Sequence, residues 1–107
     1  MEDLIKRALQ VRDKYKKLNQ KNGTEWYGED YMAGFVGDVG DLSKLIMAKR
    51  GLRGDTDDNT IDDKLAHELS DCLWSVCVLA DMYGIDLEQE FYKNMNDLDN
   101  GLSKLLN

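Results

Sequence analysis

Four carboxylates stand in two pairs of identical spacing, Asp38 with Asp41 and Glu68 with Asp71. At i, i+3 on a helix, two side chains leave the same face, so each pair can aim its oxygens at one point. Both pairs lie inside stretches that are otherwise apolar and helix-periodic, where carboxylates are unfavourable unless a positive charge answers them. Two such groups about 4 Å apart repel by ~4 kcal/mol at an effective dielectric near 20. If the two segments pack with these faces together, a hard divalent cation relieves that repulsion. Mg²⁺ is commonly held by carboxylates, waters and substrate phosphates together, so such a site points to phosphate chemistry. Spacing alone equally allows two separate, solvated acidic pairs.

Other chemistries find less support. His67-Glu68-x-x-Asp71 lacks the second histidine of a HExxH zinc site, and the chain has one histidine in all. A carboxylate di-iron bundle needs a Glu-x-x-His on each of two helices, and neither is present. No serine or cysteine nucleophile constellation can be read. Cys72 and Cys77, at i, i+5, do not match zinc-ligand spacing and read as buried free thiols of a reducing, cytoplasmic setting. The N-terminal MEDLIKRALQ is not of signal-peptide character and no apolar run approaches a membrane span, so no membrane partner is expected. A net charge of −7 argues against duplex nucleic acid. The charge is uneven: seven of the 14 basic residues lie between Lys6 and Lys21.

The elements that must position the acids are helices. The 107 residues make one domain, residues 1–107, without a single proline to interrupt it. Apolar periodicity predicts helices over residues 2–19, 28–50, 60–83 and 86–105, with a polar loop over 51–59. Asn22-Gly23, Gly51 and Gly84 mark stops, while Thr60 and Asp86 are placed to cap the third and fourth helices. No segment alternates with period two long enough for a strand. The fold class is therefore all-α, a four-helix bundle-like protomer.

Two features ask for more than a simple bundle. The third helix is apolar nearly all round, with Trp74 and Val78 opposite the face formed by Leu65, Leu69, Cys72 and Val76. That predicts a homo-oligomer, a dimer or a dimer of dimers, with this helix central. The second helix carries Gly34, Gly37 and Gly40, which together give up about 2–3 kcal/mol of helix propensity. Either close approach of another helix or space for a ligand beside the acids would offset it.

In context the acidic motifs resemble a known family. Gly37-Asp38-Val39-Gly40-Asp41-Leu42, followed 26 residues after Asp41 by His67-Glu68-Leu69-Ser70-Asp71, resembles the MazG-like nucleotide pyrophosphohydrolases. These belong with the dimeric dUTPases among all-α NTP pyrophosphatases and carry ExxE on one helix and ExxD on the next. The likeness extends to Trp26, to the apolar run from Cys72 to Ala80 and to Gly84-Ile85-Asp86-Leu87, and covers the chain from about Trp26 to Met95. The first pair departs from the pattern, with aspartate at both glutamate positions, each one methylene shorter.

The resemblance implies Mg²⁺-dependent hydrolysis of a nucleoside triphosphate, NTP or dNTP, to monophosphate and pyrophosphate in a house-cleaning role, with Mn²⁺ as a possible substitute. Asp38, Asp41, Glu68 and Asp71 would be the metal ligands and catalytic groups. Trp26 would bind substrate by stacking on a base, and Lys93 and Asn94 would contact phosphates or sugar. Two alternatives remain open: a weak or inactive nucleotide- or metal-binding protein on the same fold, and a structural helical dimerisation module.

Overall fold

The computed structural model describes residues 2–51 and 60–107; the expected polar loop falls largely outside these residues. Among the described residues all regular structure is helical: α1 (Glu2–Lys21), α2 (Gly28–Lys49), α3 (Ile61–Met82) and α4 (Leu87–Leu106). None of these helices is long and apolar enough to cross a membrane.

The stops work as their residue types require. After α1, Gly23 adopts φ 72°, so that Thr24 N–H reaches the Asn19 carbonyl at 2.7 Å and Gly23 N–H reaches that of Gln20 at 3.1 Å. After α3, Gly84 at φ 69° lets Ile85 N–H meet the Ala80 carbonyl at 2.8 Å and Gly84 N–H that of Asp81 at 3.1 Å. Both are the paired bonds of a left-handed helix stop, which a side chain at the turning residue would strain. Asp86 caps α4, its carboxylate accepting from Gln89 N–H at 3.1 Å. At the start of α2 the Asp30 carboxylate accepts from Tyr27 N–H at 2.8 Å.

The core is the seam between α2 and α3. Tyr31, Leu45 and Ala48 of α2 and Ile61 and Val78 of α3 are buried, as are Cys77 and Ala80, which share a cavity with Glu2 and Ile5 of α1. Lys49, at the end of α2, meets Asp62, at the start of α3, at 2.6 Å, as two antiparallel helices require. α1 packs on α3 through Trp74, whose indole N–H donates to the Ala8 carbonyl at 3.1 Å. Arg12 joins α1 to Asp81 of α3 at 2.8 Å.

Trp74 and Val78 are covered within the chain, Val78 completely, while Leu69 and Leu73 of α3 stay 52% and 39% exposed, so part of the apolar girth of α3 is left uncovered. Added Cβ atoms at Gly34, Gly37 or Gly40 would meet nothing within 4 Å, so no helix approaches this face. Uncovered apolar surface lies also on α1 and α2, and most of all on α4. That helix touches the rest chiefly through α3 and buries none of its residues.

Candidate metal centre

The seam places two of the acids at positions where apolar residues are expected. Tyr31, Asp38 and Leu45 follow one another at intervals of seven along α2, as do Ile61, Glu68 and Ser75 along α3. The outer members of both lines are buried. Seven residues are nearly two helical turns, so each acid faces the same helix as its buried neighbours. Asp41 follows one turn after Asp38, and its line continues to the buried Ala48.

The result is a convergent group: one carboxylate oxygen from each of Asp38, Asp41 and Glu68 lies within 4.8 Å of the others. Asp38 and Glu68 are half-buried and Asp41 is exposed. The Glu68 Oε2 atom is buried without a hydrogen-bond partner, an unfavourable state for a carboxylate oxygen. Burial pushes the Glu68 pKa above its ordinary value, and the negative charges of Asp38, Asp41 and Asp71 push it further, against a smaller opposing effect of His67.

Asp71 stands apart from the three. Its Oδ2 lies 3.1 Å from His67 Nε2, one turn back on the same helix. The expected four-carboxylate set is thus resolved into three convergent acids and a fourth engaged by histidine.

Asp38 also lines two adjoining clefts. One, of about 400 Å³, is walled by Val11, Tyr15, Ser70, Asp71 and Trp74. The other, of about 210 Å³, is walled by Tyr15, Trp26, Tyr31, Gly34, Trp74 and Ser75. Trp26 stands edge-on to Tyr31 with ring centroids 5.4 Å apart, and Tyr15 likewise to Trp74 at 5.6 Å. Trp26 therefore shares a cleft with Asp38, whereas Lys93 and Asn94 line neither cleft and lie exposed on α4. Among the described residues, none that lines either cleft is a lysine or arginine.

Sequence reasoning placed Tyr31 beside Trp26 as an aromatic that could stack on a base, but did not single out Tyr15 or Trp74 as site residues. Nothing local marks Tyr15, which depends on how α1 lies across α3.

The donor set suits a hard divalent cation. Three carboxylates from two helices offer oxygens only slightly wider apart than the ~3–4 Å of oxygens sharing one small ion. The orphaned Glu68 oxygen gains a partner when a cation binds there. Against family models, curated proteins and solved structures, the chain finds no match.

Proposed function

We propose that this chain is a Mg²⁺-dependent nucleoside triphosphate pyrophosphohydrolase of the MazG-like kind, cleaving between the α and β phosphates to release monophosphate and pyrophosphate. The observation carrying this reading is the meeting of Asp38, Asp41 and Glu68 from two helices within 4.8 Å, one oxygen of Glu68 being buried and unpartnered. Asp38, which links this group to two aromatic-walled clefts, supports a substrate that joins a flat base to a polyanion.

Asp38, Asp41 and Glu68 would hold the ion, with Mn²⁺ able to replace it. When bound, Mg²⁺ supplies positive charge against phosphate oxygens and acidifies coordinated water. Among the described residues no cationic side chain lines the clefts, so neutralisation is assigned to what the acids hold. The shorter aspartates serve as well as glutamates here, since both already reach Glu68. Asp71, kept outside the group by His67, is free to accept a hydrogen bond from the attacking water and align it. In-line phosphoryl chemistry relies on such positioning and needs no protein nucleophile. Trp26, with Tyr15 and Trp74, offers faces on which a base stacks, a contact worth about 1–3 kcal/mol.

The reading includes assembly with a second copy of the chain, because α4 leaves an apolar face uncovered. Lys93 and Asn94 keep their expected substrate role only where α4 of that copy borders the cleft.

The test is pyrophosphate release from a panel of canonical and modified NTPs and dNTPs with Mg²⁺, using Glu68→Gln as control. Release by the native chain should fall by ~100-fold or more in the variant, beyond what loss of an outer contact to a metal causes. No release from any saturating nucleotide would sink the hydrolase reading. Binding without release would leave a silent nucleotide-binding protein, and neither binding nor release a structural module.

A further inference from the structure

Two helices carry apolar stripes of the same length and rhythm. On α1 the stripe is Leu4, Ala8, Val11, Tyr15 and Leu18, and on α4 it is Phe91, Met95, Leu98, Leu102 and Leu105. Each steps by four, three, four and three residues, the heptad rhythm of helices that pack along their length, and each spans about 21 Å. Every residue of the α4 stripe is exposed, from 37% at Met95 to 84% at Leu105. On α1, Leu4, Tyr15 and Leu18 are about half exposed. Beside them a groove of about 240 Å³ opens between α1 and α3, lined by Leu4, Val11, Leu73 and Trp74 among others.

The exposed area is larger than a self-sufficient chain of this size presents. A compact monomer of 12.3 kDa should expose about 6100 Å², whereas this chain exposes 8178 Å². Its radius of gyration is 17.4 Å, against about 13 Å for a compact chain of this length. The excess of about 2000 Å² exceeds the ~800 Å² per partner of a standard protein–protein interface.

Charge says which surfaces meet. α1 carries seven basic residues against Glu2, Asp3 and Asp13, a net +4. α4 carries Glu88, Glu90, Asp97 and Asp99 against Lys93 and Lys104, a net −2. Pairing α1 with α1, or α4 with α4, sets like charges together, and pairing α1 with α4 sets opposite charges together.

We propose that α4 of one copy docks along the α1/α3 groove of a second copy, and the second α4 along the first groove, closing a two-fold dimer. The proposal rests on the assembly part of the functional reading and not on hydrolysis. It also ties assembly to the acid site, because Val11, Ser70 and Trp74 line both the groove and the cleft beside Asp38. The docked helix therefore forms a wall of that cleft.

The experiment is sedimentation velocity on the full chain at about 10 µM, with two charge-reversed variants whose changes lie on the surface. One carries Lys14→Glu and Lys17→Glu on α1, the other Asp97→Lys and Asp99→Lys on α4. The native chain should sediment at twice its 12.3 kDa mass. Each variant alone should dissociate about tenfold more readily, and an equimolar mixture should recover dimer, since one contact of the mixed dimer is the native pairing and the other sets the introduced acids of α1 against the introduced lysines of α4. Leu98→Glu with Leu102→Glu should give monomers that remain helical by circular dichroism. A monomeric native chain would overturn both the docking and the assembly reading. A native dimer whose α1 variant is unaffected, or whose mixture recovers nothing, would overturn the docking alone.

Discussion

Replacing Glu68 by glutamine should make the metal-free protein more stable while abolishing its response to Mg²⁺. At the limiting separation of 4.8 Å, each pair of unit charges repels by ~0.9 kcal/mol in water and ~3.5 kcal/mol at a dielectric near 20. Glu68 faces two such neighbours, one half-buried and one exposed, so solvent screening favours the lower end. Neutralising it should then stabilise the metal-free fold by about 2 kcal/mol at pH 7, or roughly 10 °C in Tm for a domain of this size.

The pH dependence has a definite sign. The folded-state pKa of Glu68 is raised by burial and by Asp38, Asp41 and Asp71. Its ionised form is therefore the unfavourable one in the fold, and the penalty is fully present above the raised value. As pH falls through that value the folded chain takes up the proton first and the penalty is relieved. Below the ordinary value of 4.5, both states are protonated and the advantage of the variant disappears. Mg²⁺ acts oppositely, stabilising the native chain by about 2.7 kcal/mol at a hundredfold excess over Kd and the variant far less. Thermal melts at one protein concentration, in EDTA and in Mg²⁺, from pH 4 to pH 8, measure all three effects. A variant less stable than the native chain in EDTA at pH 7, or an advantage that persists at pH 4, would refute the reasoning.

Three further outcomes follow from particular contacts. Gly37→Ala adds a methyl group into open space and should stabilise α2 by about 0.5–1 kcal/mol in urea titrations. Gly34→Ala should stabilise similarly but weaken nucleotide binding by calorimetry, because Gly34 lines the smaller cleft. Trp74→Phe removes the bond to the Ala8 carbonyl and should cost about 1 kcal/mol in denaturant melts, loosening α1 from α3. Asp38→Glu with Asp41→Glu should bring no gain in pyrophosphate release, and a large gain would show that the aspartates fall short.

The four helices and most of their boundaries were legible because they are local events, a glycine entering a left-handed turn or an aspartate accepting from a free N–H; Thr60, expected to cap α3, makes no side-chain cap bond to it. The convergence of Asp38 and Glu68 was half legible. Their seven-residue spacing from Tyr31, Leu45, Ile61 and Ser75 marks the seam only once those four are seen to be buried. The separation of Asp71 also has a local sign, since His67 lies four residues before it on the helix. Tyr15 was not legible, because its place depends on the angle at which α1 crosses α3. The apolar girth of α3 was only partly legible: periodicity reports how much of a helix is apolar, not which side chains its own chain covers, and Val78 is buried while Leu69 and Leu73 are not.

The aspartates of the first motif make sense once their places in the seam are known. Asp38 lies between the buried Tyr31 and Leu45, where the facing helix is close and a short side chain suffices. Glu68 sits opposite between the buried Ile61 and Ser75. It supplies the extra methylene from α3, and its far oxygen ends buried beside the aspartates. A glutamate at position 38 would have to fold back against the seam to place its carboxylate at the same point. The glycines of α2 leave room above the acids rather than drawing another helix in, since nothing lies within 4 Å of where their Cβ atoms would be. The helix propensity they give up thus returns as open space rather than as contact with another helix.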